Sequence, residues 1–545
     1  MPDATPTPTD ASPDASPTRV DALVVGAGIS GIHQLWELRG KGLRTVLLEA
    51  GSGVGGVWFW NRYPGARFDS ESYTYGYFFS PEILEEWTWS EEYAGQPETE
   101  RYLNFVADRL DLRKDMRFDA RVVSAHWQED ERVWEVTTAT GEVYLTTYLV
   151  TALGILSKPA FPRVPGLEDF QGEWHHTGTW PVADVDVRGK RVAVIGTGSS
   201  GVQVIPFLAK DAASLTVFQR TANWATPINN FAIDDARAAD LRERIQEIYT
   251  RTQETPGGAI HAPMTESSLA LSDEERRAVW DRLYDAPGMA FVLGNFRDVA
   301  LSREANGHLT AYLTERIRER VKDPRTAALL TPDDHGFGQK RPPLENGYYE
   351  VFNEPHVRLV STVEDPLVRY TPTGLETAIE SHDFDVIVIA TGFVAVTGSY
   401  ESIDIRGTGG RTLQEHWVDG PHTFLGMQAA GFPNLFLVGG PQSSAGIIPR
   451  VTETQATWVA NCVAHLRDRG LSRIETTEAA EQEWHEHVLS GIEGTLQEDA
   501  SGWAFGTNVG DGRQRAYLLY AGGQPQYRER IAESAEAGYK GFELS

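Results

Sequence analysis

Two glycine-rich turns, each set between a short apolar strand and a helical pattern, predict an α/β chain with two Rossmann-like dinucleotide-binding domains, and a charged helical stretch predicts an insertion in the second. With 545 residues the chain exceeds what one compact core accommodates, so several domains and room for large buried ligands are expected.

Residues 1–18 are Pro, Thr, Ser and Asp with almost nothing apolar, and read as a disordered tail because such a composition cannot offset its ordering entropy. A strand from Ala22 to Val25 then enters Gly26-Ala27-Gly28-Ile29-Ser30-Gly31; a helix follows through Ile32, Leu35 and Leu38, and a second strand, Thr45 to Leu48, ends at Glu49. In that order Gly26 permits the tight turn, Gly28 lets backbone approach a pyrophosphate at the helix N-terminus, and Gly31 lets helix pack on strand. Glu49 can accept hydrogen bonds from a ribose diol, so FAD or NAD suits this unit.

Gly55 to Asp69, GGVWFWNRYPGARFD, is too rich in Gly, Pro and aromatics for a regular element and suits closure on a planar cofactor. Arg121 to Ala125 and Val133 to Thr138 read as a crossover ribbon, and Tyr148 to Leu153 as the return to the sheet before Gly154. The stretch Phe170 to Pro181, FQGEWHHTGTWP, fits neither helix nor strand period and is expected to be a connector between the two units.

The second unit runs from Arg191 to Ile195 into Gly196-Thr197-Gly198-Ser199-Ser200-Gly201, a helix, and a strand from Leu215 to Phe218. That strand ends in Gln219-Arg220-Thr221 where the first unit has an acid. An Arg and a hydroxyl there suit a 2′-phosphate that an acid would repel, which points to NADPH. Residues 231–334 are helical and charged, most simply solvated faces. His335 to Pro343 form a loop with adjacent cations, Lys340 and Arg341. Strands from Asp385 to Ile389 and from Leu435 to Val438 lead into Ala390-Thr391-Gly392-Phe393 and Gly439-Gly440-Pro441, small-residue turns that backbone can bring close to a ligand. These returns divide the chain into a discontinuous first domain, 19–158 and 391–545, and a second, 159–230 and 335–390, with the insertion at 231–334.

Composition sets limits. Acidic residues outnumber basic ones 77 to 49, a net charge of −28 that disfavours nucleic acid and anionic membrane surfaces as partners. Neither a membrane-spanning apolar run nor a signal peptide is evident, so a cytoplasmic protein is expected. The single cysteine, Cys462, excludes dithiol chemistry and a cysteine metal cluster; it lies in an apolar-periodic segment and is expected to be buried. No metal centre is expected.

On these residues the chain resembles the type I Baeyer–Villiger monooxygenases. Phe170, Gly172, His176, Trp180 and Pro181 match the family fingerprint FxGxxxHxxxWP in full, and Gly55 through Asp69 match GGxWxxNRYPGARxD. Both glycine-rich turns, the Lys-Arg pair, ATGF and the late Trp503 fall in family order, so the resemblance runs from about residue 20 to the C-terminus. Thr151-Ala152-Leu153-Gly154 departs from the commoner ATG, and the composition of 442–452 matches no particular member.

The resemblance implies FAD and NADPH as cofactors, and conversion of cyclic or aryl/alkyl ketones and dioxygen into lactones or esters through a flavin C4a-peroxide. It implies Arg341 as the catalytic cation, with Asp69, also among the FAD-binding residues, holding it and helping to position the nicotinamide. Gly26, Gly28, Gly31 and Glu49 would bind the FAD pyrophosphate and ribose, Trp58 and Tyr75 the flavin, and Val122 the adenine end. On the NADPH side it implies Thr197, Gly198, Ser199, Ser200, Gly201 and Gln203 around the phosphates, with Arg220, Thr221 and Lys340 at the 2′-phosphate. Arg67, Arg341 and Trp503 would complete that site, and His176 and Trp180 would couple the domains. The rival readings are a flavin monooxygenase acting on nitrogen or sulfur nucleophiles and, from another class, a non-catalytic nucleotide-binding redox sensor. The number of associating chains is left open.

Overall fold

A computed structural model describes residues 16–509, 512 and 514–545. Its first sheet is built on Thr18–Val25, which pairs in parallel with Thr45–Leu48 on one side and Val143–Thr151 on the other. The central residues Ala22, Leu23 and Val24 are fully buried, as expected for a strand covered on both faces. The strand begins at Thr18, inside the stretch read as tail, because its backbone pairs with Tyr144. The rest of that expectation, residues 1–15, lies outside the described residues.

Val143–Thr151 changes partner along its length. Its first half pairs antiparallel with Val133–Thr138, and its last residues pair in parallel with Leu435–Leu437. The C-terminal third therefore supplies a strand to the N-terminal sheet. Val122–Gln128 and Asp404–Arg406 extend the ribbon outward.

The second sheet has five parallel strands in the order Val357–Ser361, Ser214–Gln219, Arg191–Ile195, Val386–Ile389 and Glu173–His176. The last corrects the connector expectation: the middle of the Phe170–Pro181 stretch is an edge strand, with His176 opposite Ile389. Its residues do not alternate, and their conformation is set by a partner more than two hundred residues away in sequence. A short turn, Thr177–Thr179, follows.

The insertion is helical, with Asp235–Glu243, Ile245–Glu254, Asp273–Asp285 and Arg303–Arg320 as its longer elements. Its charged helices also bury one face through Trp280, Leu309, Tyr312 and Leu313. Thr226–Pro227 and Leu344–Glu345 pair in parallel and so hold the entry and exit of this region together.

Two chain segments pass side by side between the sheets. Ala160 N–H donates to Gly392 O at 2.9 Å, Val394 N–H to Lys158 O at 2.9 Å and Val396 N–H to Ile155 O at 2.9 Å. Among the described residues no helix is long and apolar enough to cross a membrane.

Candidate active site

Both glycine-rich turns repeat one construction. Gly26 and Gly196 adopt φ of 107° and 108°, and a Cβ on either would lie 2.5 or 2.6 Å from a backbone oxygen, of Ala152 and Ala390 respectively. A Cβ on Gly31 would meet Gly26 O at 1.8 Å, and one on Gly201 would meet Gly196 O at 2.2 Å. These glycines are dictated by close backbone packing. Gly198, at the N-cap of Ser199–Asp211, has open space where a Cβ would stand, and Ser199 and Ser200 begin that helix half-exposed. Backbone N–H groups there can meet a phosphate directly.

Glu49 is buried at the end of its strand, accepting from Ala27 N–H and Gly51 N–H at 2.7 Å each. Burial pushes its carboxyl up, and these backbone bonds oppose the shift. Val122 is buried at an irregularity in its ribbon. Gly28 packs on the aromatic motif: a Cβ on Gly56 would stand 2.7 Å from Gly28 Cα. Within that motif Trp58 Nε1 donates to Tyr75 Oη at 3.1 Å, and Phe68 stacks on Tyr75 with centroids 4.3 Å apart. The result is a packed aromatic wall beside the first turn.

Asp69 ends the motif. It is 5% exposed and pairs with Arg341 at 2.9 Å, whose side chain is 47% exposed. Burial pushes the Asp69 carboxyl up, while Arg341 and then Arg67 pull it down. Arg67 itself turns to Glu91 and to Tyr93 O, at 3.1 and 2.9 Å. The Lys-Arg loop is anchored on several sides. Asn223 Nδ2 donates to Arg341 O at 3.0 Å, Gln339 Nε2 to Leu496 O at 2.8 Å, and Lys340 pairs with Asp334 at 2.8 Å. Arg220 and Thr221 are exposed just before Asn223, and Thr197 Oγ1 lies 3.3 Å from Thr221 O. Trp503 is half-buried against Ala395, Val396 and Leu518, and its neighbour Gly502 approaches the Lys340 side chain.

His176 is 1% exposed. Its Nδ1 accepts from Gly178 N–H at 2.9 Å, which assigns the proton to Nε2, 3.2 Å from Ala160 O. Desolvation lowers its pKa to about 4, so the ring is neutral near pH 7 and serves as a strut at the paired crossing segments. Trp180 is buried, and its N–H donates to Trp60 O at 3.2 Å, which ties the fingerprint to the aromatic motif.

Sequence reasoning missed the contact between Tyr63 and Gln203. Tyr63 Oη donates to Gln203 Oε1 at 2.7 Å, and Gln203 Nε2 donates to Arg67 O at 3.0 Å. It also missed the bidentate grip of Arg62 on Glu100, at 2.7 and 2.5 Å. The aromatic-rich motif marked the loop, but nothing local to it names partners so distant in the chain.

The family model described as pyridine nucleotide-disulphide oxidoreductase matches residues 23–267. A Baeyer–Villiger monooxygenase of Pseudooceanicola batsensis is 39% identical over 522 residues, covering 95% of each chain. Phenazine N-monooxygenase PhzNO1 of Lysobacter antibioticus is 41% identical over 535 residues, covering 97% of this chain and 98% of that one. A crystal structure of OTEMO in complex with FAD and NADP superposes with a TM-score of 0.94 at 42% identity, covering 97% of this chain and all of that one. Dithiol chemistry does not extend here, since Cys462 is the sole cysteine and is buried. With its motifs intact and likeness spanning nearly the whole length, the chain belongs to the Baeyer–Villiger monooxygenase family.

Proposed function

We propose that the protein binds FAD and uses NADPH and dioxygen to convert a ketone into an ester or lactone. The observation that carries this reading is the Arg341–Asp69 pair, a permanent cation open to solvent and fixed by a buried carboxylate at the end of the aromatic wall. The balance is ketone, dioxygen, NADPH and a proton giving ester, water and NADP⁺. One oxygen atom enters between the carbonyl carbon and its neighbour, and the other leaves as water. FAD and NADPH supply the electron transfer that activates dioxygen.

The residues divide the remaining work. Gly26, Gly28 and Gly31 admit the FAD pyrophosphate, Glu49 orients its ribose, Val122 borders the adenine end, and Trp58 and Tyr75 wall the flavin. Thr197, Gly198, Ser199, Ser200 and Gly201 present backbone and side-chain donors to the NADPH phosphates, Gln203 braces that turn against the aromatic loop, and Arg220, Thr221 and Lys340 stand at the 2′-phosphate. For Lys340 this means exchanging Asp334 for phosphate. Arg67 adds positive charge behind Asp69, and Trp503 closes the nicotinamide end. Arg341 stabilises negative charge developing on oxygen, and as an Arg it keeps its charge where a Lys can lose it. His176 and Trp180 hold the crossing segments to the flavin loop.

The sheet pairings support a discontinuous flavin domain, 19–158 and 391–545, around a nucleotide domain at 159–230 and 335–390 with its insertion at 231–334. We place the enzyme in the cytoplasm, and its net charge of −28 weighs against nucleic-acid partners.

Purified protein should be yellow, should oxidise NADPH faster with cyclic or aryl ketones, and should place one labelled oxygen atom from dioxygen in the ester. A protein that stays colourless after FAD reconstitution refutes the reading. The Lysobacter relative motivates a second one, oxygenation of a ring nitrogen. N-oxide formation without ester across the same panel would favour it.

A further inference from the structure

We propose that Asp365, Glu380 and His382 form a site for one divalent transition-metal ion, zinc in the first instance, outside the oxygenating centre. Asp365 and Glu380 flank, and His382 lies on, a meander of Leu367–Thr371, Gly374–Thr377 and Ser381–Asp383. Asp365 precedes the first strand, and the turn after the second returns Glu380 and His382 beside it. One ligand atom from each lies within 4.8 Å of the other two.

Two acids beside a histidine are common on protein surfaces. This group differs in its ring nitrogen. The His382 side chain is 8% exposed, its ring stands edge-on to Phe218 at 5.4 Å, and its buried Nε2 has no hydrogen-bond partner. Glu380 Oε1 is 3.8 Å from Nε2, too far for a hydrogen bond. Ligands about 2.0–2.2 Å from a tetrahedral ion stand roughly 3.3–3.6 Å apart, so a shift of a few tenths of an ångström puts both on one cation.

The surroundings prepare the ligands. Asp365 is buried and held by the Thr377 hydroxyl at 2.8 Å and Ile379 N–H at 2.9 Å, which orient its carboxylate and leave lone pairs for a metal. One imidazole and two carboxylates, with water completing a tetrahedron, suit zinc better than calcium or magnesium, which prefer all-oxygen cages. Arg358 pairs with Glu380 and is the resident competitor.

The test is equilibrium dialysis of the full chain against zinc, with cobalt(II) absorption as a direct report of ligand geometry. Wild type should bind one zinc per chain more than His382→Gln and show cobalt bands that the variant lacks. Glu380→Gln removes an exposed carboxylate, leaves the core intact, and should weaken binding about ten-fold or more. Arg358→Gln should tighten it. Equal zinc stoichiometry in wild type and His382→Gln, or an affinity indifferent to both Glu380→Gln and Arg358→Gln, overturns the proposal.

Discussion

The Tyr63 hydroxyl meets the Gln203 side-chain carbonyl at 2.7 Å, joining the aromatic loop to the helix that follows the second glycine-rich turn. The loop can come this close because Gly65 has no side chain. At φ of 87°, a Cβ there would stand 2.5 Å from the Phe207 ring and 2.6 Å from Gln203 O. The contact holds the aromatic wall and that helix together in one frame. Burial pushes the Tyr63 hydroxyl up to about 12, so it remains a donor throughout the working pH range.

Tyr63→Phe should therefore loosen the frame without emptying the flavin site. The lost bond corresponds to about 1 kcal/mol, roughly five-fold in an equilibrium. Flavin content should match wild type, the apparent KM for NADPH should rise several-fold, and more hydrogen peroxide should form per NADPH. Unchanged coupling and KM would show that the bond is incidental.

Arg341→Ala removes the permanent cation. Loss of one preorganised charge-stabilising group costs about two to three orders of magnitude in rate. NADPH should still reduce the flavin, ester formation should fall by that factor, and peroxide should replace it. Arg341→Lys should recover part of the rate. Ester formation near the wild-type rate in Arg341→Ala would remove the residue from catalysis.

Much of this candidate site was legible because its motifs are contiguous in the sequence. The strand, turn, helix and acid sequence around Gly26 and Glu49, and the Asp69 and Arg341 positions, could be named from residue order and family resemblance alone. The rest is encoded between distant residues. Glu173–His176 has no alternating pattern and becomes a strand only against Val386–Ile389. The Lys340 pair with Asp334 and the turn of Arg67 toward Glu91 depend on loop geometry that local propensity does not encode. Arg450 is a stronger case. It is fully buried, donates to Gly76 O at 2.6 Å and covers Phe78, although a cation near the start of a helix is locally disfavoured.

Arg220→Ala tests coenzyme choice. A charge-assisted hydrogen bond to a 2′-phosphate is worth about 1.5–3 kcal/mol, or roughly ten-fold to a hundred-fold in affinity. KM for NADPH should rise by that factor, while NADH, which lacks the phosphate, should change little. Equal losses with both coenzymes would refute the assignment.

His176 gives a pH dependence with a definite sign. Its pKa falls from the ordinary 6.5 to about 4 in the folded protein because burial disfavours the imidazolium. Between those values the unfolded chain binds a proton that the folded chain does not. The contribution to stability is therefore fully present above about pH 6.5 and is lost as pH falls toward 4, amounting to about 3 kcal/mol. His176→Gln puts an amide oxygen and an amide N–H in place of the two ring nitrogens and does not titrate. Wild type should lose about 3 kcal/mol more than this variant between pH 7 and pH 4, measured by chemical denaturation. Every other titrating group is shared by the two proteins and cancels in the difference. A pH-independent difference would mean that His176 takes up its proton as readily in the folded chain as in the unfolded one, and the strut joining Ala160 to Gly178 would then need another explanation.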